Sequence, residues 1–179
     1  MSDNFEKDPR RIQELAGRPI ADKIYKTIFG DNISIERTEK DQDLTLDKLF
    51  AIDVKLTLPS DQILLGQEKF LSQQEAKYRT ITVEHYQNPL KKEHGDWFKL
   101  AAQFYFVGYF TIDKNDFDPW VLADWIQIVL NTYQNNINWR DQDNKYTKAR
   151  ASFRHTKMER LPKSCILSCS WNFNKLGGE

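Results

Sequence analysis

Lys40-Asp41-Gln42-Asp43-Leu44-Thr45-Leu46-Asp47-Lys48-Leu49-Phe50-Ala51-Ile52-Asp53-Val54-Lys55 is the stretch on which the reading of this chain turns. Two short apolar runs, Asp43–Leu46 and Leu49–Leu58, flank Asp47-Lys48, and this predicts a two-stranded hairpin. Side chains two apart on a strand share a face, so Asp53 and Lys55 are expected to project together. A charge inside an apolar strand costs free energy unless it is paired or holds a metal. Two carboxylates converging there repel each other without a cation between them. Mg2+ suits such a place, because it takes one or two carboxylates and completes its shell with water and substrate phosphate. The lysine is then free to orient or deprotonate an attacking water, as metal-assisted phosphodiester hydrolysis requires.

Outward from this stretch the periodicities sketch a fold. Upstream, Ile12, Leu15, Ile20, Ile24 and Ile28 recur at helical spacing from Asp8 to Phe29, with Asp8 as cap and Pro9 in the first turn. Pro19 is expected to split or kink this helix, and Gly30 to end it. Asn32–Arg37 alternates as a strand does. Downstream, Pro59 closes the second strand of the hairpin. Ser60–Lys77 is polar and Gln-rich and reads as a loop with a helical turn near Glu68–Ser72. Tyr78–Tyr86 and Gln103–Ile112 read as strands, the latter interior. Pro119–Tyr133 reads as a helix capped by Asp118, with short strands at Ala151–Phe153 and Cys165–Trp171. The fold class expected is α/β in the broad sense (α+β), a central mixed sheet flanked by helices in one domain over 1–179.

Composition narrows the function. The chain has 179 residues, enough for one self-sufficient core, and 26 basic residues balance 26 acidic ones. Zero net charge argues against a protein that coats nucleic acid nonspecifically, while leaving room for a local basic surface beside an acidic site. Lys145, Lys148, Arg150, Arg154, His155, Lys157, Arg160 and Lys163 form such a cluster against Glu159. No Gly-rich phosphate loop and no Ser nucleophile in a recognisable setting is present, and three histidines are too few and too scattered for a His-based metal site. Cys165 and Cys169 lie too far apart on an extended chain to bond and read as structural thiols. There is no long uncharged apolar run, and the charged N-terminal stretch has no signal-peptide core, so the expectation is a cytoplasmic protein with no membrane partner and no organic cofactor.

An early helix, an Asp on one strand of a hairpin, Asp-x-Lys on the next and a further strand together resemble the core of the PD-(D/E)XK (restriction endonuclease-like) nuclease superfamily. Asp53-Val54-Lys55 matches the (D/E)-x-K element and Asp43, ten residues earlier, the preceding Asp, though Gln42 stands where the family has proline. Thr82-Val83-Glu84, the loop through Gly95-Asp96-Trp97 and the aromatic strand ending near Phe110 are similar to phage and prophage members, so the resemblance covers about residues 8–133. Residues 134–179 form a basic C-terminal extension expected to pack on the core.

The resemblance implies a Mg2+-dependent DNA endonuclease, with Mn2+ able to substitute. Asp43, Asp53 and Lys55 would be catalytic; Asp43, Asp53, the backbone carbonyl of Val54 and Glu84 would hold the metal; Glu14 would be an auxiliary acid. Register leaves Asp41 open as the alternative to Asp43, since a two-residue loop turns Asp43 to the wrong face and a bulge restores it. Lys148, Arg150, Arg154, Lys157, Lys91 and Lys92 are the expected DNA-backbone contacts. Cutting both strands favours a homodimer. The alternative is a non-catalytic DNA-binding or assembly protein that retains the nuclease fold.

Overall fold

All seven residues of the strand Phe104–Phe110 are buried, which makes it the natural centre of the molecule. The computed structural model describes residues 9–38, 45–143 and 151–171. Within these the order is α1 (Pro9–Phe29), β1 (Ser34–Arg37), α2 (Thr45–Phe50), β2 (Val54–Thr57), β3 (Ile63–Leu71), β4 (Thr80–Asn88), β5 (Glu93–His94) and α3 (Asp96–Lys99). Then follow β6 (Phe104–Phe110), β7 (Phe117–Asp124), α4 (Trp125–Tyr133), β8 (Arg140–Asp143), β9 (Ser152–Lys157) and β10 (Ile166–Cys169). The architecture is α+β. A six-stranded mixed sheet runs β1-β2-β3-β6-β7-β10, and a four-stranded antiparallel sheet runs β5-β4-β9-β8. In the central sheet β3 and β6 are parallel, and the other pairs are antiparallel.

One face of the central sheet is covered by α1, where Ile20, Ala21 and Tyr25 pack on Val54, Leu56, Phe104, Phe106 and Leu122. The other face packs Tyr105, Val107, Tyr109 and Val121 against Ile81 and Val83 of the second sheet and Trp125 and Ile128 of α4. The free edge of β4 is closed by side chains from this face. The hydroxyls of Tyr105 and Tyr109 donate to the carbonyls of Thr82 and Thr80 at 2.8 and 2.9 Å, and Lys69 Nζ donates to Thr82 at 3.1 Å. Unpaired strand edges are liabilities, and these bonds satisfy this one internally. The described residues beyond 134 contribute to both sheets, β8 and β9 completing the second and β10 forming an edge of the central one.

Several elements differ from the sequence reading. The helix α1 runs unbroken through Pro19, and its buried stripe is Gly17, Ile20, Ala21 and Tyr25, leaving Ile12 and Leu15 about half exposed. The hairpin expected from Asp43 to Leu58 does not form: Thr45–Phe50 is the helix α2, with Asp47 in its first turn and Lys48 in its last, as the helix dipole favours. Ala51 then takes φ 49°, turning the chain into β2. Residues 60–77, expected as a loop, contain β3, the partner of both β2 and β6. The expected helix Pro119–Tyr133 is a strand to Asp124 and a helix afterwards, and Asp124 caps α4 by accepting from the Gln127 N–H at 2.9 Å. A strand buried on both faces reads as a continuous apolar run, so periodicity alone does not separate it from a buried helix.

Candidate functional site at the β2–β3 hairpin

The hairpin that gathers polar groups is β2–β3. Its last ladder pair is Val54 with Gly66, and one step beyond come Asp53 on one strand and Gln67 on the other. Gly66 is required there, because a Cβ would lie 2.1 Å from the Phe104 ring. Asp53 N–H donates to the Gly66 carbonyl at 2.9 Å, and Asp53 Oδ2 accepts from the Glu68 N–H at 3.0 Å. The carboxylate thus serves a β3 donor that β2 no longer reaches. Burial pushes the Asp53 carboxyl from 3.8 up to about 8, against the pull of that hydrogen bond; the charges of Glu68, Asp47 and Glu14 add to the rise.

Glu68, its side chain 4% exposed, anchors a buried network toward α1. The Tyr25 hydroxyl donates to it at 2.9 Å, Arg37 Nη2 donates to Glu68 Oε1 at 3.2 Å, and Arg37 Nε lies 2.9 Å from Oε2 as an ion contact whose N–H is not aimed at the oxygen. Arg37 also holds Asp22 at 2.7 Å. Burial pushes Glu68 up to about 7, opposed by Arg37 and Tyr25. With the guanidinium permanently charged, the ionised carboxylate is the form that this pairing favours.

Gln67 and Lys69, two apart on β3, share the face opposite Glu68. Gln67 Oε1 is buried and has no hydrogen-bond partner. Lys69 is half-buried and its amine is withdrawn from water, which lowers its pKa, while Asp96, Glu75 and Glu84 act to raise it. Beside its bond to Thr82, the amine lies 5.5 Å from the Phe153 ring centroid. Burial raises the pKa of Tyr105, paired with Gln67 across the β3–β6 ladder, and the charges of Asp96 and Asp53 add to the rise.

The residues singled out from sequence are distributed as follows. Asp53 lies at the head of β2 as described, and Val54 is fully buried in the middle of three antiparallel strands. Lys55 faces Glu36 across the β1–β2 pair, its amine 3.2 Å from that partly exposed carboxylate. Glu14, on α1, is bound by Arg11 and Arg18 and lies within electrostatic reach of Asp53. Glu84, on β4, is near Lys69 and Asp96, and burial raises its pKa, with Asp96 adding to the rise. Arg154 lies 4.7 Å from the Trp97 ring and holds Asp141 at 2.9 Å. Lys157 Nζ donates to the Tyr78 carbonyl. Lys91 and Lys92 sit in the exposed β4–β5 turn, Lys91 3.8 Å from Glu93. Asp41, Asp43, Lys148 and Arg150 lie outside the described residues.

The sequence reading passed over Gln67, Glu68 and Lys69. The signal for them was the run Ile63-Leu64-Leu65-Gly66-Gln67-Glu68-Lys69-Phe70-Leu71, apolar at both ends, whose polar centre suggested a loop. Among the described residues no three His, Cys, Asp or Glu side chains stand close enough to hold a metal by themselves, and no helix is long and apolar enough to cross a membrane. Comparison with protein-family models, with curated proteins and with solved structures finds no match to this chain.

Proposed function

We propose that the protein is a metal-dependent DNA endonuclease with a restriction endonuclease-like core, its site on the β2–β3 hairpin. One observation carries the reading: Asp53 at the head of β2 stands beside Gln67-x-Lys69 on β3, in a sheet where α1, β1, β2 and β3 are followed by a strand parallel to β3. This is the pattern of an acid on one strand and (D/E)-x-K on the next, with Gln67 in the acid's place. The lysine role accordingly passes from Lys55, which is engaged by Glu36, to Lys69.

The donors fit Mg2+, with Mn2+ as substitute. Asp53 is a carboxylate that burial and the neighbouring acids hold protonated near neutrality, and Gln67 offers a buried oxygen without a partner. A hard cation prefers such oxygen ligands and takes its remaining ones from water and substrate phosphate. When bound, Mg2+ supplies Lewis-acid polarisation of the scissile phosphate and acidifies a water. Asp53 would release its proton on binding the ion. Lys69, its pKa lowered, would hold the attacking water by hydrogen bond and steady the charge that builds on the phosphate. Glu84 and Asp96 would keep that amine oriented.

A second reading, a non-catalytic DNA-binding or assembly protein, is favoured by two contacts: Lys69 Nζ already serves Thr82, and Asp53 Oδ2 already serves Glu68 N–H. Nicking assays on linear, branched and single-stranded DNA with Mg2+ or Mn2+ separate the two. The nuclease predicts cleavage that Asp53→Asn and Lys69→Ala abolish and Lys55→Ala spares. A folded wild-type protein that cleaves none of these substrates and gains no stability from either ion would favour the second reading.

A further inference from the structure

On the second sheet, three strands and a turn build a cavity of about 150 Å3 from Tyr78, Thr80, Arg140, His155, Lys157 and Arg160. The register explains the gathering. His155 and Lys157 are two apart on β9 and share a face, Arg140 of β8 pairs with His155, and Thr80 of β4 pairs with Lys157. Arg160 follows on the 3-10 turn after β9, and Tyr78 leads into β4. Among the described residues no carboxylate lines the cavity. The nearest acid in the ladder, Asp141, is committed elsewhere, to Arg154 at 2.9 Å and His85 at 3.7 Å. Among the described residues neither Arg140 nor Arg160 has a carboxylate at ion-pair distance. Burial lowers the pKa of His155, Arg140 and Lys157 push it further down, and Asp141 acts in the opposite sense. Three like charges held around a concavity are a cost that an anion would relieve.

We infer that this cavity is a phosphate-recognition site, taking a single phosphoryl group between Arg140, His155, Lys157 and Arg160. Arginine supplies planar paired donors for phosphate oxygens and lysine a point charge, and the Tyr78 and Thr80 hydroxyls add uncharged donors. The size agrees, since the cavity is smaller than the roughly 300–1,000 Å3 of pockets that enclose whole organic ligands. A phosphoryl group with the rest of its molecule outside is what fits. Such a group arrives either as free phosphate or a small phosphomonoester, or as the terminal phosphate of a nucleic-acid strand. The inference does not depend on the hairpin site, whose residues are different.

The test uses the full chain and two double-labelled titrations followed by NMR at the His155 ring and the Arg140, Lys157 and Arg160 amides. Sodium phosphate is titrated against sodium chloride at matched ionic strength, then a 5′-phosphorylated oligonucleotide against its 5′-hydroxyl twin. Phosphate is expected to move these resonances saturably where chloride does not. Arg140→Gln with Arg160→Gln should weaken phosphate at least about tenfold while leaving the fold intact, both side chains being exposed. Preference for the 5′-phosphorylated strand assigns the site to nucleic-acid ends; equal behaviour of the two strands assigns it to free phosphate or small phosphomonoesters. Absence of saturable shifts with phosphate, or an undiminished affinity in the folded double variant, overturns the inference.

Discussion

Asp53→Asn isolates the electrostatic cost of the hairpin carboxylate. Asparagine keeps an oxygen where Asp53 Oδ2 accepts from the Glu68 N–H at 3.0 Å, so the local bond survives while the ionisable group is removed. The folded carboxyl titrates at about 8 against an ordinary 3.8. Between those values the folded state holds a proton that the unfolded chain has lost, so wild-type stability falls as pH rises from about 4 to about 8 and levels above it. At about 1.4 kcal/mol per pH unit the ceiling on this loss is roughly 6 kcal/mol, and solvent access at a half-buried residue brings the expected value to about 2–3 kcal/mol. Glu68, raised to about 7, titrates in the same window but is present in both proteins and cancels to first order. Urea unfolding followed by tryptophan fluorescence, with chelator present, should show the variant level with wild type near pH 3.5 and more stable by about 2–3 kcal/mol at pH 8.5. Adding Mg2+ at pH 8.5 should narrow the gap by stabilising wild type alone. A variant no more stable than wild type at pH 8.5, or equally stabilised at both pH values, would refute the argument.

Other substitutions test the frame around the site. Gly66→Ala places a methyl 2.1 Å from the Phe104 ring, and urea titration should show a loss of about 1–3 kcal/mol or failure to fold. Arg37→Ala strands Glu68 and Asp22 around a vacated guanidinium and should cost about 3–5 kcal/mol in the same assay. Lys55→Ala removes a partly exposed pair with Glu36 and should change stability by less than about 1 kcal/mol, which thermal unfolding at two salt concentrations would check.

By itself the sequence determined the elements whose signals are local. The stretch 9–29 is helical because good spacing and Gly30 agree, and β1, β4 and β6 follow from alternation and β-branched or aromatic content. Asp53 stood out because a charge in an apolar run calls for a partner wherever it lies. What the sequence left open depends on neighbours distant in the chain. Whether Val121-Leu122-Ala123 is strand or helix is decided by β6 and β10 on either side, which bury an apolar run equally well in either form. The polar centre of β3 is a strand only because Tyr25, Arg37 and Thr82, far away in sequence, receive Glu68 and Lys69. Likewise Arg140, His155, Lys157 and Arg160 come to one cavity through strand register, which no local pattern encodes. Local propensity acts over a few residues, whereas burying a polar group requires a partner that only the folded chain brings within bonding distance.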